Sequence, residues 1–253
     1  AGLAVAVPAA VAAEAGGPTL PWTASRQELA ATADAHGYSP RDRVCTTRKG
    51  VTYCPFADYT VWVPAWEEVM APVAAAVPPA ARDRIPVLRQ QFPGNRADNA
   101  ESASVDIWPR WPRTEHPDRS YLAGSAAAMV TGLADVPVPG TVTTGCDASG
   151  QARTVVALWL AGQGAPLLPA GESLLVPTPS GTGEMPSQLG PIEYGDAETG
   201  YARRLLERPD ARERVWAAWE TLTKPQTTLA QALPLLGLRP EHPATSPAGP
   251  PCR

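Results

Sequence analysis

Apolar positions recur at intervals of three and four along several stretches of this chain and alternate in only a few short ones, which predicts a mostly helical protein with little sheet. Ser25-Arg-Gln-Glu28 has the form of a capping box, opening a helix that Gly37 closes. Trp66, Val69, Met70 and Val73 share one face of a helix over 65–77, entered through Pro64 and kinked by Pro72. Residues 120–133 read as a helix capped by Ser120, whose Gly124-Ser-Ala-Ala-Ala128 interior lets another element approach closely. The next helix opens at Asp147 or Ser149 and carries Val155, Val156, Leu158, Trp159 and Leu160, the most apolar run of the chain and so its central buried helix. Three short amphipathic helices follow over 197–207, 210–222 and 228–236, the second with Val215, Trp216 and Trp219 on one stripe and the third ended by Gly237.

Strand signals are sparser. Segments 85–92 and 105–108 are bounded by Pro86, Pro93 and Pro109 and read as short edge strands, and Ser173-Leu-Leu-Val176 as a lone one. The strongest signal is Cys45-Thr-Thr-Arg-Lys-Gly-Val-Thr-Tyr-Cys54. With Lys49-Gly50 as a two-residue loop, Arg48 faces Val51, Thr47 faces Thr52, Thr46 faces Tyr53 and Cys45 faces Cys54. The cysteines then occupy a non-hydrogen-bonded pair, where Cα atoms lie about 4.5 Å apart and a disulfide can close. The fold class expected is α+β, mostly helical, with a small antiparallel sheet and a disulfide-closed hairpin.

Composition narrows the picture. Of 253 residues 44% are hydrophobic, but much of that is alanine, so eight Trp, six Tyr and the Leu and Val positions must supply the bulky packing. Thirty prolines break the chain into short elements. A net charge of −4 with scattered arginines offers no basic stripe, which argues against nucleic acid as a partner. Four cysteines form an even set, leaving Cys146 and Cys252 as candidates for a second pair whose closure the sequence leaves open, and pointing to an oxidising compartment. The first charge is Glu14; the Ala-rich lead before it is the end of a signal segment, the end of a membrane span, or a flexible leader.

Reactive constellations are thin. His36, His116 and His242 have no partner at metal-ligand spacing, and neither a metal nor another cofactor is expected. Ala123-Gly-Ser-Ala-Ala127 lacks the second glycine of a nucleophile elbow. Asp58, Glu67, Glu68, Asp98, Glu101, Asp106, Glu115 and Asp118 are acids whose convergence the sequence does not show. The most function-like patch is aromatic: Phe56, Tyr59, Trp62 and Trp111 as a ledge for a peptide, a small molecule or a partner subunit, with Trp66 and Trp108 assigned to the core.

The hairpin leading through Pro55-Phe56 into the Trp-containing Val63-Pro64 helix resembles the extracytoplasmic domain attached to permease subunits of actinobacterial ABC transporters. Ala152-Arg-Thr-Val-Val-Ala-Leu-Trp-Leu-Ala161 and Tyr201-Ala-Arg-Arg-Leu-Leu-Glu-Arg-Pro-Asp-Ala-Arg-Glu-Arg-Val-Trp216, with Leu233-Pro-Leu-Leu-Gly237, are similar to the same group. The resemblance implies a non-catalytic domain outside the membrane, held there through its N-terminus and serving binding or assembly with transporter subunits or other envelope proteins. Such domains resemble degenerate zinc aminopeptidases, and Trp159-Leu160 with Gly162-Gln-Gly164 is faintly similar to the helix bearing the third ligand, but no His-Glu-x-x-His occurs; a related fold would be a pseudoenzyme. The competing readings are a secreted hydrolase with paired carboxylates in an aromatic-lined cleft, and a free-standing secreted binding protein. The organisation expected is an apolar lead over 1–17, a main domain over 18–165, a Pro/Gly-rich linker over 166–195, a helical subdomain over 196–238 and a Pro-rich tail over 239–253.

Overall fold

Alternation and turn chemistry make the hairpin. In the computed structural model, which describes residues 43–90, 104–107, 116–133, 146–167, 192–241 and 252, strands β1 (Thr46–Arg48) and β2 (Val51–Cys54) pair antiparallel in the expected register, Thr46 opposite Tyr53 and Arg48 opposite Val51. Lys49 and Gly50 take φ of 47° and 79°, both positive, as a two-residue turn matched to strand twist demands. Cys45 and Cys54 are disulfide-bonded with Cα atoms 4.0 Å apart.

After β2 a 3-10 segment, Ala57–Trp62, leads into helix α1 (Val63–Ala76), which runs through Pro72 and buries Trp66, Val69, Met70 and Val73. A second 3-10 segment, Pro79–Arg84, returns the chain to β3 (Val87–Gln90). That crossover makes β3 parallel to β2, with Tyr53 opposite Leu88, and β4 (Ser104–Ile107) is parallel to β3. The sheet order is β1-β2-β3-β4. The antiparallel sheet expected from the sequence is therefore mixed, antiparallel only at the hairpin, because a helical connection brings the next strand back in the same direction. Nor is β3 an edge strand. Pro86 stops one residue short of the ladder, so its missing N–H costs no pairing.

Helix α2 (His116–Thr131) begins a turn before the expected cap. Ser120 lies inside it and donates its hydroxyl to the Pro166 carbonyl at 2.8 Å, tying α2 to the end of α3. The small residues Ala126, Ala127 and Ala128 are fully buried, and α2 packs closely on helix α3 (Ala152–Gly164). Every residue from Ala152 to Ala161 is buried, so α3 is the central helix, flanked by α1, α2 and helix α4 (Asp196–Glu207). A Cβ on Gly164 would sit 2.1 Å from the Val69 carbonyl oxygen, which is how near α3 ends against the backbone of α1.

Helix α3 starts later than expected because Asp147 and Ser149 form a turn instead: the Ser149 amide donates to Asp147 Oδ1 at 2.7 Å. Asp147 also belongs to β5 (Cys146–Asp147), parallel to β6 (Ile192–Glu193). Helices α5 (Ala211–Leu222) and α6 (Leu229–Leu235) complete the fold. Thr228 caps α6, its hydroxyl accepting from the Gln231 amide. Trp216 Nε1 donates to the Ala76 carbonyl at 2.7 Å, pinning α5 to α1. One apolar cluster runs from Val51 in the hairpin to Leu238 beyond α6. The class is α+β and mostly helical. The helix expected at 25–37, the strand at 173–176 and residues 1–17 lie outside the described residues.

Candidate functional site

Two groups of side chains have functional potential, one at the surface and one buried. The surface group is the corner where the hairpin meets α1. Glu67, on the first turns of α1, pairs with Lys49 at 2.9 Å and Arg48 at 3.8 Å, so the hairpin tip is held against the helix. The Thr47 and Thr52 hydroxyls are 3.0 Å apart across the ladder. On the adjoining 3-10 segment Val61 is 47% exposed, and Trp62, half-buried, meets Trp66 edge to face at 6.5 Å. Val44, at the base of the hairpin, is 49% exposed. The corner thus offers apolar surface on a cross-linked frame.

Of the four aromatic residues expected to form a ledge, only Trp62 is placed at this surface. Phe56 is fully buried, its ring beneath the Arg43 guanidinium at 5.0 Å and its amide bonded to Gln90 Oε1, and belongs to the core rather than to a ledge. Phe56 follows β2 through a bridge to Arg43 at the parity of Thr52 and Cys54, so alternation alone would turn it away from the Val51 and Tyr53 face; Arg43 and Gln90 cover it instead. Tyr59 contributes backbone to the 3-10 segment, while its side chain and Trp111 lie outside the described residues.

Tyr53 of β2 and Trp66 of α1 lie in the apolar cluster, and Gln90 is fully buried at the end of β3. Tyr53 Oη, Trp66 Nε1 and Gln90 Nε2 are buried donors with no acceptor among the described residues. Burial, reinforced by the negative charge of Glu67, pushes the Tyr53 phenol well above its ordinary value, so it stays protonated.

Of the acids named as possible catalytic partners, the structure describes the side chains of Glu67 and Glu68, and each faces a basic group. Glu67 is committed to Lys49 and Arg48, and Glu68 lies 3.8 Å from Arg119. The side chains of Asp58, Asp98, Glu101, Asp106, Glu115 and Asp118 lie outside the described residues. Among the described residues no cluster of His, Cys, Asp and Glu is arranged to hold a metal ion.

The buried group was not anticipated. Arg153 is 1% exposed; its Nε donates to Gln151 Oε1 at 2.7 Å, Nη1 to the Gly132 carbonyl at 2.5 Å and Nη2 to the Cys252 carbonyl at 2.7 Å. Gln151 Nε2 donates to that same Cys252 carbonyl at 3.0 Å, and the Cys252 amide donates to the Asp147 carbonyl at 3.0 Å. The Cys146–Cys252 disulfide, a pairing the sequence left open, closes this seat. Nearby, Glu198 is fully buried and takes the Gly150 and Gly195 amides at 2.8 and 3.0 Å. The available signal was Arg153 itself, a lone charge at the head of the most apolar run, where burial forces it to find acceptors.

Both disulfides are compatible with an extracytoplasmic location, and no helix among the described residues is long and apolar enough to cross a membrane. No family model, curated protein or solved structure matches the chain.

Proposed function

We propose that this chain is a non-catalytic domain working outside the membrane, docking through the hairpin–α1 corner onto transporter subunits or a similar envelope assembly, and held near the membrane through its N-terminal lead. The observation that supports this most directly is Val61 and Trp62 set on a frame locked by the Cys45–Cys54 disulfide and the Lys49–Glu67 pair. A partly exposed tryptophan on a rigid frame loses little conformational freedom on binding, which is what makes such residues energetic centres of interfaces. The buried charges support the non-catalytic reading, since Glu198 and Arg153 spend their hydrogen bonds on backbone and Gln151.

Amine-reactive crosslinking in the native envelope tests the proposal, because the chain has only two lysines, Lys49 on the hairpin tip and Lys224 beyond α5. Crosslinks from Lys49 to transporter subunits, absent from Lys224 and lost in Trp62→Ala, are expected. A domain found free in the medium with no crosslinked membrane protein would overturn the reading.

A further inference from the structure

We propose that the outer edge of β1 is a strand-addition site, taking an extended segment of a partner protein that is acidic at both ends of the segment; resting on the docking reading above, this names how the hairpin is held.

Hairpin geometry opens the edge. β1 is the first strand of its sheet, with β2 along one side. In an antiparallel ladder the backbone groups of successive residues point toward the neighbouring strand and away from it in turn. The Val44 amide donates to the Pro55 carbonyl at 2.9 Å, which fixes the phase. Val44, Thr46 and Arg48 therefore turn their N–H and C=O toward β2, whereas Cys45 and Thr47 turn theirs outward. The disulfide to Cys54 and the facing Thr47 and Thr52 hydroxyls sit at those two non-hydrogen-bonded pairs. Both residues are exposed, and among the described residues neither strand nor bridge meets that side of β1. Two donors and two acceptors thus face solvent, about 7 Å apart along the strand, the spacing an incoming extended chain matches. The Cys45–Cys54 bond and the Lys49–Glu67 pair hold the edge in place, so little ordering is lost when a strand is added.

Charge chooses the occupant. From Arg43 to Cys54 the chain carries Arg43, Arg48 and Lys49 and no acid. The acid that meets the hairpin tip is Glu67, whose side chain is 16% exposed, while those of Arg48 and Lys49 stay 51% and 67% exposed. Positive charge therefore faces outward at the tip, and Arg43 sets a second cation at the base of the strand. A second copy of this chain is the wrong strand for such an edge. Placing Cys45 of one copy opposite Thr47 of the other, which pairs their free backbone groups, sets Lys49 opposite Arg43, and like charges directly opposed across a ladder are destabilising. A segment with an acidic residue at each end reverses the sign at both places. Val44, exposed on the same face of β1 as Arg48, offers an apolar contact to a β-branched side chain between them.

The test uses the intact oxidised chain and two synthetic peptides blocked at both termini, Glu-Val-Thr-Val-Thr-Glu and the same sequence with Lys at each end. Hydrogen exchange is expected to find the Cys45 and Thr47 amides unprotected in the free chain and slowed about tenfold by the acidic peptide, with Thr46 and Arg48 slow throughout. The Lys-ended peptide is expected to bind about tenfold more weakly, and added salt to narrow the gap. Thr47→Pro removes an outward N–H while sparing the bonds to β2, and is expected to abolish binding of the acidic peptide. Equal binding of the two peptides, protection only at other residues, or no binding at about 1 mM peptide would overturn the site. If Thr47→Pro does not fold, the exchange pattern on the native chain still decides the matter. The two readings fail separately: an acidic peptide that does not bind overturns the edge site whatever Lys49 crosslinks to, whereas a bound peptide with no Lys49 crosslink in the envelope overturns the transporter assembly and leaves the edge site standing.

Discussion

Arg153 donates Nη2 to the carbonyl of Cys252, a residue 99 positions away, while its Nη1 reaches Gly132 at the end of α2. One buried guanidinium therefore joins the start of the central helix, the exit of its neighbour and the last described residue of the chain. Replacing it by Met, which fits an apolar site, strands the Gly132 carbonyl and strips Cys252 of its charged donor. Arg153→Met is expected to cost about 3 kcal/mol in urea unfolding, and Arg153→Lys to recover less than half, because a single ammonium cannot span the fork. Full stability in the Lys variant would show that charge alone suffices.

Tyr53 tests the opposite case. Its buried hydroxyl has no acceptor among the described residues, and leaving such a group unpaired costs roughly 1–3 kcal/mol. Tyr53→Phe is expected to hold or raise the melting temperature. The folded phenol also titrates above the unfolded one, near pH 10. A raised folded value means that stability is intact below about pH 10 and falls as pH climbs beyond it. The Phe variant should lose that alkaline decline; a drop of more than about 1 kcal/mol at neutral pH would place an acceptor outside the described residues.

Two glycines in helices should respond with opposite sign. Gly164 faces the Val69 carbonyl, and Gly164→Ala must push α3 away from α1, costing about 2 kcal/mol or more. Gly200, inside α4, has nothing within 4 Å of the place a methyl would occupy, so Gly200→Ala gains helix propensity and about 0.5–1 kcal/mol. Thermal melts of both single variants check the packing of the central helix in one experiment.

Asp210 sits at the start of α5 with Oδ1 2.9 Å from Arg208 Nε and Oδ2 2.8 Å from Arg208 Nη2 and 2.5 Å from Arg214 Nε. Those hydrogen bonds hold its carboxyl far below the usual carboxylate range. A depressed folded value means the stabilisation is present above about pH 4 and is lost as pH falls. Asp210→Asn should flatten the acid limb of the stability profile, and high salt should shrink the difference, since the pair is partly exposed.

The hairpin was legible down to the residue because everything that makes it is local: alternation, a Lys-Gly loop and two cysteines whose positions count outward from that loop. The helices over 197–207, 210–222 and 228–236 were legible for the same reason, their apolar stripes and the closing Gly237 lying within a few residues of each other. Cysteine spacing also indicated the Cys45–Cys54 disulfide, while parity left the pairing of Cys146 with Cys252 open, and the fold closes it. Strand direction was not written locally, since β2 and β3 are made neighbours by a crossover through α1. The inward turn of Phe56 and the interior place of Ser120 were equally hidden, as each depends on a partner distant in sequence, Gln90 and Pro166. Short-range geometry is set by the covalent chain and its rotamers, so the sequence alone determines the hairpin with its disulfide and the helix stripes. The seat of Arg153 was decided only by tertiary structure, because a buried charge takes whatever acceptors close packing delivers, and here they come from the far end of the chain.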